Sequence, residues 1–156
     1  MKTQKNRYSL FLAFGFWALL TVTGCGLSSA NVDSRHNEAI DPKTRVAIHE
    51  INNKILESIA PSGIKILKTY FCPHGADAGC ACYKPKPGLL LDAQKEFDID
   101  LADSWMIGDR PSDVMTGINA GTKTILVKSG VPTVESDEAT FIAPSLLEAA
   151  QYIASH

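Results

Sequence analysis

Residues 72–88, CPHGADAGCACYKPKPG, restrict what this chain can fold into more than any other stretch of its 156 residues. Cys72, His74, Cys80 and Cys82 follow a C-x-H-x5-C-x-C spacing, a complete Cys3His set for tetrahedral zinc, and Pro73, Gly75 and Gly79 let the intervening loop double back. Four soft ligands fill the coordination sphere and leave no open position for water or substrate. Zinc held there is structural. The alternatives are buried thiols beside a loop histidine, or one disulfide with a spare cysteine.

Around this loop the pattern alternates between helix and strand. Asp41-Pro42 supplies an N-cap and a first helical position, and Ile48, Ile51, Ile55 and Ile59 then recur at helical spacing up to a stop near Pro61-Ser62-Gly63. Residues 64–71 alternate and are β-rich, so they predict a strand delivering Cys72 to the loop. After Pro87, the stripe Leu89, Leu90, Ala93 and Phe97 predicts a second helix. A short buried strand over 104–107 runs into Gly108-Asp109. A helix over 114–120 closed by Gly121, strands over 124–127 and 140–143, and a final helix over 144–154 complete the pattern. Strands alternating with helices imply an α/β fold with a parallel, Rossmann-like sheet and flanking helices.

In such sheets the reactive groups gather in loops at the carboxyl ends of the strands, where Asp109 falls. Asp109 and Asp113 form G-D-x-x-x-D, a pattern that holds Mg2+ through hard carboxylate oxygens. Standing alone, the pair would equally serve as a helix cap and a first-turn acid.

The chain from about Thr44 onward resembles the D-glycero-D-manno-heptose 1,7-bisphosphate 7-phosphatases of the haloacid dehalogenase (HAD) superfamily, with histidinol-phosphate phosphatases as similar relatives. The resemblance rests on INNKI, YFCPH, C-x-C, KPKPG and GDRPSD in order. It implies a HAD-like sheet with a zinc loop, Mg2+ at Asp109 and Asp113, and hydrolysis of a sugar phosphate. Lys84 matches the family lysine that neutralises the phosphoryl group, a role suited to a compact ammonium. Arg110 matches a basic position near the substrate, with a surface ion pair as its alternative. Lys86 has the weaker claim and reads as an exposed side chain. Where the family usually places an arginine before the lysine, this chain has Tyr83, which cannot offer a bidentate fork to a second phosphate.

A second departure concerns the chemistry. The family attacks phosphorus with an aspartate at the end of an N-terminal strand, in a D-x-D motif, and no such motif is present. Asp33-Ser34-Arg35 lacks the second acid, Asp98-Ile99-Asp100 follows a helix, and no strand pattern marks residues 32–34 where the second family motif would fall. Mg2+ and lysine stabilise charge but cannot accept a phosphoryl group, so the resemblance implies impaired catalysis. The family fold is expected to be incomplete at its N-terminal strands. The strands at 64–71 and 104–107 would then have unpaired edges open to self-association or a partner chain.

Residues 1–24 carry a different signal. Lys2, Lys5 and Arg7 precede an apolar run from Leu10 to Val22, and Val22-Thr23-Gly24-Cys25 resembles a lipobox. This predicts a lipoprotein-type signal peptide over 1–24, lipidation at Cys25, a tether over 25–43, the phosphatase-like domain over 44–156, and membrane anchoring. The alternatives are retention of 10–22 within the fold and the cytoplasmic location expected of the phosphatase family. Without residues 1–24 the formal charge moves from -2 to -5. No basic tract points to nucleic acid. The expected function is a HAD-type phosphomonoesterase, with a non-catalytic zinc-stabilised lipoprotein or phosphate-binding module, or a truncated gene product, as alternatives.

Overall fold

The computed structural model describes residues 41–64, 66–128 and 136–156, with the Arg45 side chain excepted, together with the backbone of strands at 9–14, 17–22 and 31–32. The elements in chain order are β1 (Ser9–Phe14), β2 (Trp17–Val22), β3 (Asn31–Val32), α1 (Pro42–Ile59), β4 (Ile66–Phe71), α2 (Gly88–Phe97), β5 (Trp105–Gly108), α3 (Pro111–Ala120), β6 (Lys123–Val127), β7 (Phe141–Ala143) and α4 (Leu146–Ser155). One seven-stranded sheet holds them in the order β3-β4-β2-β1-β5-β6-β7. Only β2 runs against the rest.

The middle of this sheet corrects one sequence expectation. The apolar run forms a hairpin, with β1 parallel to β5 (Leu10 beside Trp105, Ala13 beside Gly108) and β2 antiparallel to β4 (Trp17 beside Phe71). The inner edges of β4 and β5, expected to be unpaired, are therefore paired. Apolar, aromatic-rich residues have high strand propensity, and two open edges offer them backbone partners. Asn31–Val32 likewise forms a two-residue strand beside Lys68 and Thr69, where no strand was expected. Cys25, Asp33 and most of the expected tether lie outside the described residues.

Strand alternation divides the core. On one face Met106 and Tyr70 pack with Leu89, Leu90 and Ala93 of α2, and with Ile99 and Leu101. On the other, Trp105, Ile107, Ile125, Val127 and Ala143 pack under Ala149 of α4. The Tyr152 ring stacks on Phe141 at 4.0 Å and meets Trp105 edge-on at 5.8 Å.

Helix α1 starts as expected, since the N–H of Thr44 donates to Asp41 Oδ1 at 3.0 Å. Its buried face differs from the isoleucine stripe. Ile48 and Asn52 are buried, while Ile51 and Ile55 are exposed. The turn is set by a polar contact, in which the Thr69 hydroxyl donates to Asn52 Oδ1 within the interface. A buried hydrogen-bonding pair left apart would cost more than two isoleucines left at the margin. Among the described residues, no helix is long and apolar enough to cross a membrane.

Candidate active site and metal loop

Two carboxyl-terminal strand ends supply the site. β4 ends at Phe71 and passes directly into Cys72, and β5 ends at Gly108 and passes into Asp109. All four loop ligands converge, with ligand atoms within 4.8 Å of one another. Sγ of Cys82 lies 3.0 Å from that of Cys72 and 3.3 Å from that of Cys80, and Nδ1 of His74 lies 3.2 Å from Cys82 Sγ. A tetrahedron of zinc–sulfur bonds near 2.3 Å has edges of about 3.8 Å, so a small expansion admits the ion. These separations exceed the ~2.05 Å of a disulfide, and the three thiols are free.

A metal bound by these thiols has to displace their protons. Burial pushes the Cys82 thiol far up and raises Cys72 as well. Burial acts on Cys80 in the same direction, but hydrogen bonds from Cys82 and Cys72 bring it below its ordinary value. Burial thus opposes ionisation of Cys72 and Cys82.

Across the cleft, α3 begins with Pro111 at its first position, and Asp113 closes the turn. Asp113 Oδ2 accepts the N–H of Arg110 at 3.1 Å, and Oδ1 accepts Lys84 Nζ at 2.6 Å. Asp113 is wholly buried and Lys84 nearly so. Burial pushes the Asp113 carboxyl up, against the pull of Lys84 and of the Arg110 N–H. Gly108 is required by this approach. A Cβ there would collide with the side chain of Asp113.

The structure therefore brings together most of the residues singled out from sequence. A cavity of about 180 Å³ is lined by Cys72, Cys82, Tyr83, Lys84, Leu89, Arg110 and Ser112. Asp109 stands half-buried at the end of β5. At the carboxyl end of β1, beside Gly108, the chain carries Ala13-Phe14, and Gly15-Phe16 follow in sequence. No carboxylate stands there among the described residues.

Sequence reasoning missed two supports. Asn119 of α3 donates to the Pro85 carbonyl at 2.9 Å, and Lys86 donates to the carbonyls of Gly79 and Cys80. Asn119 carries no motif, because an exposed helical amide looks like any other. Lys86 is exposed as expected, yet its ammonium is engaged.

Comparison with known proteins agrees with this geometry. Residues 81–149 match a family model described as HAD-hydrolase-like. The chain is 38% identical over 106 residues to D-glycero-beta-D-manno-heptose-1,7-bisphosphate 7-phosphatase of Vibrio cholerae, covering 62% of this chain and 57% of that protein. It is 47% identical over 73 residues to the alpha-anomer enzyme, D-glycero-alpha-D-manno-heptose-1,7-bisphosphate 7-phosphatase of Campylobacter jejuni, covering 47% of this chain and 41% of the relative. The chain spans about half the length of the curated relatives it matches. Its fold is similar to the crystal structure of D,D-heptose 1,7-bisphosphate phosphatase from B. bronchiseptica complexed with magnesium and phosphate, with a TM-score of 0.58 and 30% identity over 81% of this chain and 72% of that one. The order of the loop, the lysine turn and the β5 aspartate, together with these likenesses, shows that the chain belongs to the HAD-like hydrolases.

Proposed function

We propose that this chain forms the metal- and phosphate-binding part of a HAD phosphomonoesterase site for a phosphorylated sugar, with zinc in the Cys72–His74–Cys80–Cys82 loop and Mg2+ at Asp109. The observation that carries this reading is the Lys84–Asp113 pair, set beside Asp109 and opening on the cavity that reaches the loop. Both Asp113 oxygens are engaged, so we assign Asp109 to direct contact with the cation and Asp113 to orienting Lys84. Ligation by Asp113 would require its oxygens to be freed. Mg2+, when bound, draws charge from the phosphoryl oxygens. Lys84 would add positive charge at the cavity wall, and Arg110 lies at the exposed rim. Tyr83 takes an uncharged part of the ligand, because its hydroxyl offers no fork to a second phosphate.

A second reading is favoured by the end of β1. Ala13-Phe14 cannot accept a phosphoryl group, and the covalent route needs a carboxylate. Binding without turnover follows for the chain by itself. We expect purified protein to bind inorganic phosphate with Mg2+ by calorimetry, and Lys84→Met to lose that binding. Hydrolysis of heptose bisphosphate, histidinol phosphate or an aryl phosphate should not exceed that of Asp109→Asn. Mg2+-dependent turnover abolished by Asp109→Asn would overturn the non-catalytic reading.

As the alternative to their place in the sheet, we propose residues 1–24 as an export signal, with Cys25 as the lipid-bearing residue and the membrane as the location. The two uses exclude each other, because cleavage before Cys25 would remove β1 and β2. The charged start, apolar run and small-residue box support it. Mass measurement of the chain recovered from bacterial membrane and soluble fractions tests it, and full-length soluble protein would count against it.

A further inference from the structure

The KPKPG turn sends its two lysines to different places. Lys84 reaches α3, whereas Lys86 reaches back to the metal loop, with Nζ 2.8 Å from the Gly79 carbonyl and 2.9 Å from that of Cys80. The backbone between them is closed on itself. The N–H of Lys86 donates to Tyr83 O at 3.0 Å, and the N–H of Gly88 donates to Ala81 O at 3.0 Å. Gly88 lies so near the Ala81 carbonyl that any Cβ there would strike that backbone. Lys86 therefore extends from a closed turn, and its ammonium holds the carbonyls of two successive residues of the loop. Gly79 has φ of +66°, the left-handed bend that turns the chain into Cys80.

We propose that Lys86 is a positioning residue for the metal loop. By holding the Gly79 and Cys80 carbonyls, its ammonium fixes the bend that presents the Cys80 sulfur. Its charge also offsets the surplus of a site in which three thiolates and a neutral imidazole surround a divalent ion. Outer partners of this kind, which orient a ligand residue and balance its charge, typically change metal affinity by about 10–100-fold. The proposal rests on the zinc reading of the loop. It goes beyond that reading by assigning the loop's retention of metal to a residue that touches no metal.

The test compares full-length protein with Lys86→Met, Lys86→Arg and Cys80→Ser. Each is loaded with Zn2+ and mixed with a chromogenic chelator, and each is also loaded with Co2+ for its thiolate-to-metal absorption. Lys86→Met should keep the tetrahedral cobalt spectrum yet give up zinc about tenfold faster. Lys86→Arg, which keeps the charge and the donors, should stay near the parent rate, and Cys80→Ser should lose the spectrum. Equal release rates for the parent and Lys86→Met would overturn the Lys86 role and leave the metal site standing. Failure of Arg to restore the rate lost in Lys86→Met would also overturn it. A parent chain that takes up neither ion would overturn the metal reading itself, and the Lys86 role with it.

Discussion

Asp113 spends both oxygens locally, one on Lys84 and one on the Arg110 N–H, with no water contact for its side chain. Because burial raises its carboxyl above the ordinary value, the folded protein holds that proton to a higher pH than the unfolded chain does. Stability from this group is thus fully present below the unfolded value and is lost as pH rises through the raised one. Lys84 limits the loss by favouring the charged form. Lys84→Met should therefore lower stability by about 3 kcal/mol at pH 7, since it strands a buried carboxylate. The deficit should shrink as the pH falls through the raised Asp113 value, where the carboxyl is neutral. Thermal melts of both proteins from pH 4 to pH 8 check this, and a deficit that does not vary with pH would contradict it.

For whole elements, the sequence was most legible where period and punctuation agreed. Pro87 opens α2, and its stripe of Leu89, Leu90 and Ala93 is buried as the spacing implied. Leu90→Ala should cost roughly 2–5 kcal/mol, measured by urea denaturation, because the residue lies under α2 against β4 and β5 with little room for relaxation. Gly121 ends α3 in the left-handed conformation, and Ser145 caps α4 through the N–H groups of Leu147 and Glu148. Legibility failed at α1, where apolar period pointed to Ile51 and Ile55 but a side-chain hydrogen bond, Thr69 to Asn52, set the rotation. Period counts greasy residues and is blind to a polar pair 17 positions apart. The same blindness hid Asn119, whose contact with Pro85 spans 34 positions. Motif spacing, by contrast, singled out Cys72, His74, Cys80 and Cys82, whose side-chain atoms the fold brings within 4.8 Å of one another, because short local constraints hold them.

At the scale of the whole molecule, composition and motif order indicated the α/β fold and its family, while the middle of the sheet was not legible. A charged start and an apolar run have the same appearance whether they serve as a leader or as strands, so the sequence carries both uses. In the folded chain β1 and β2 lie between β4 and β5. Deleting residues 1–24 should accordingly expose two strand edges and abolish a cooperative melt, or drive the product into aggregates detectable by light scattering. A truncated chain that stays monomeric and melts near the parent temperature would show that the hairpin contributes nothing to the fold.

Parallel strands must be joined by a crossover of a dozen or more residues, whereas β1 and β2 are joined by two. The reversed strand makes the centre of this sheet its most local part. Loop closure is cheapest there, so the hairpin can assemble in microseconds, ahead of the distant pairing of Leu10 with Trp105. The expected order is therefore the hairpin first, with β4 and β5 docking on its two sides afterwards.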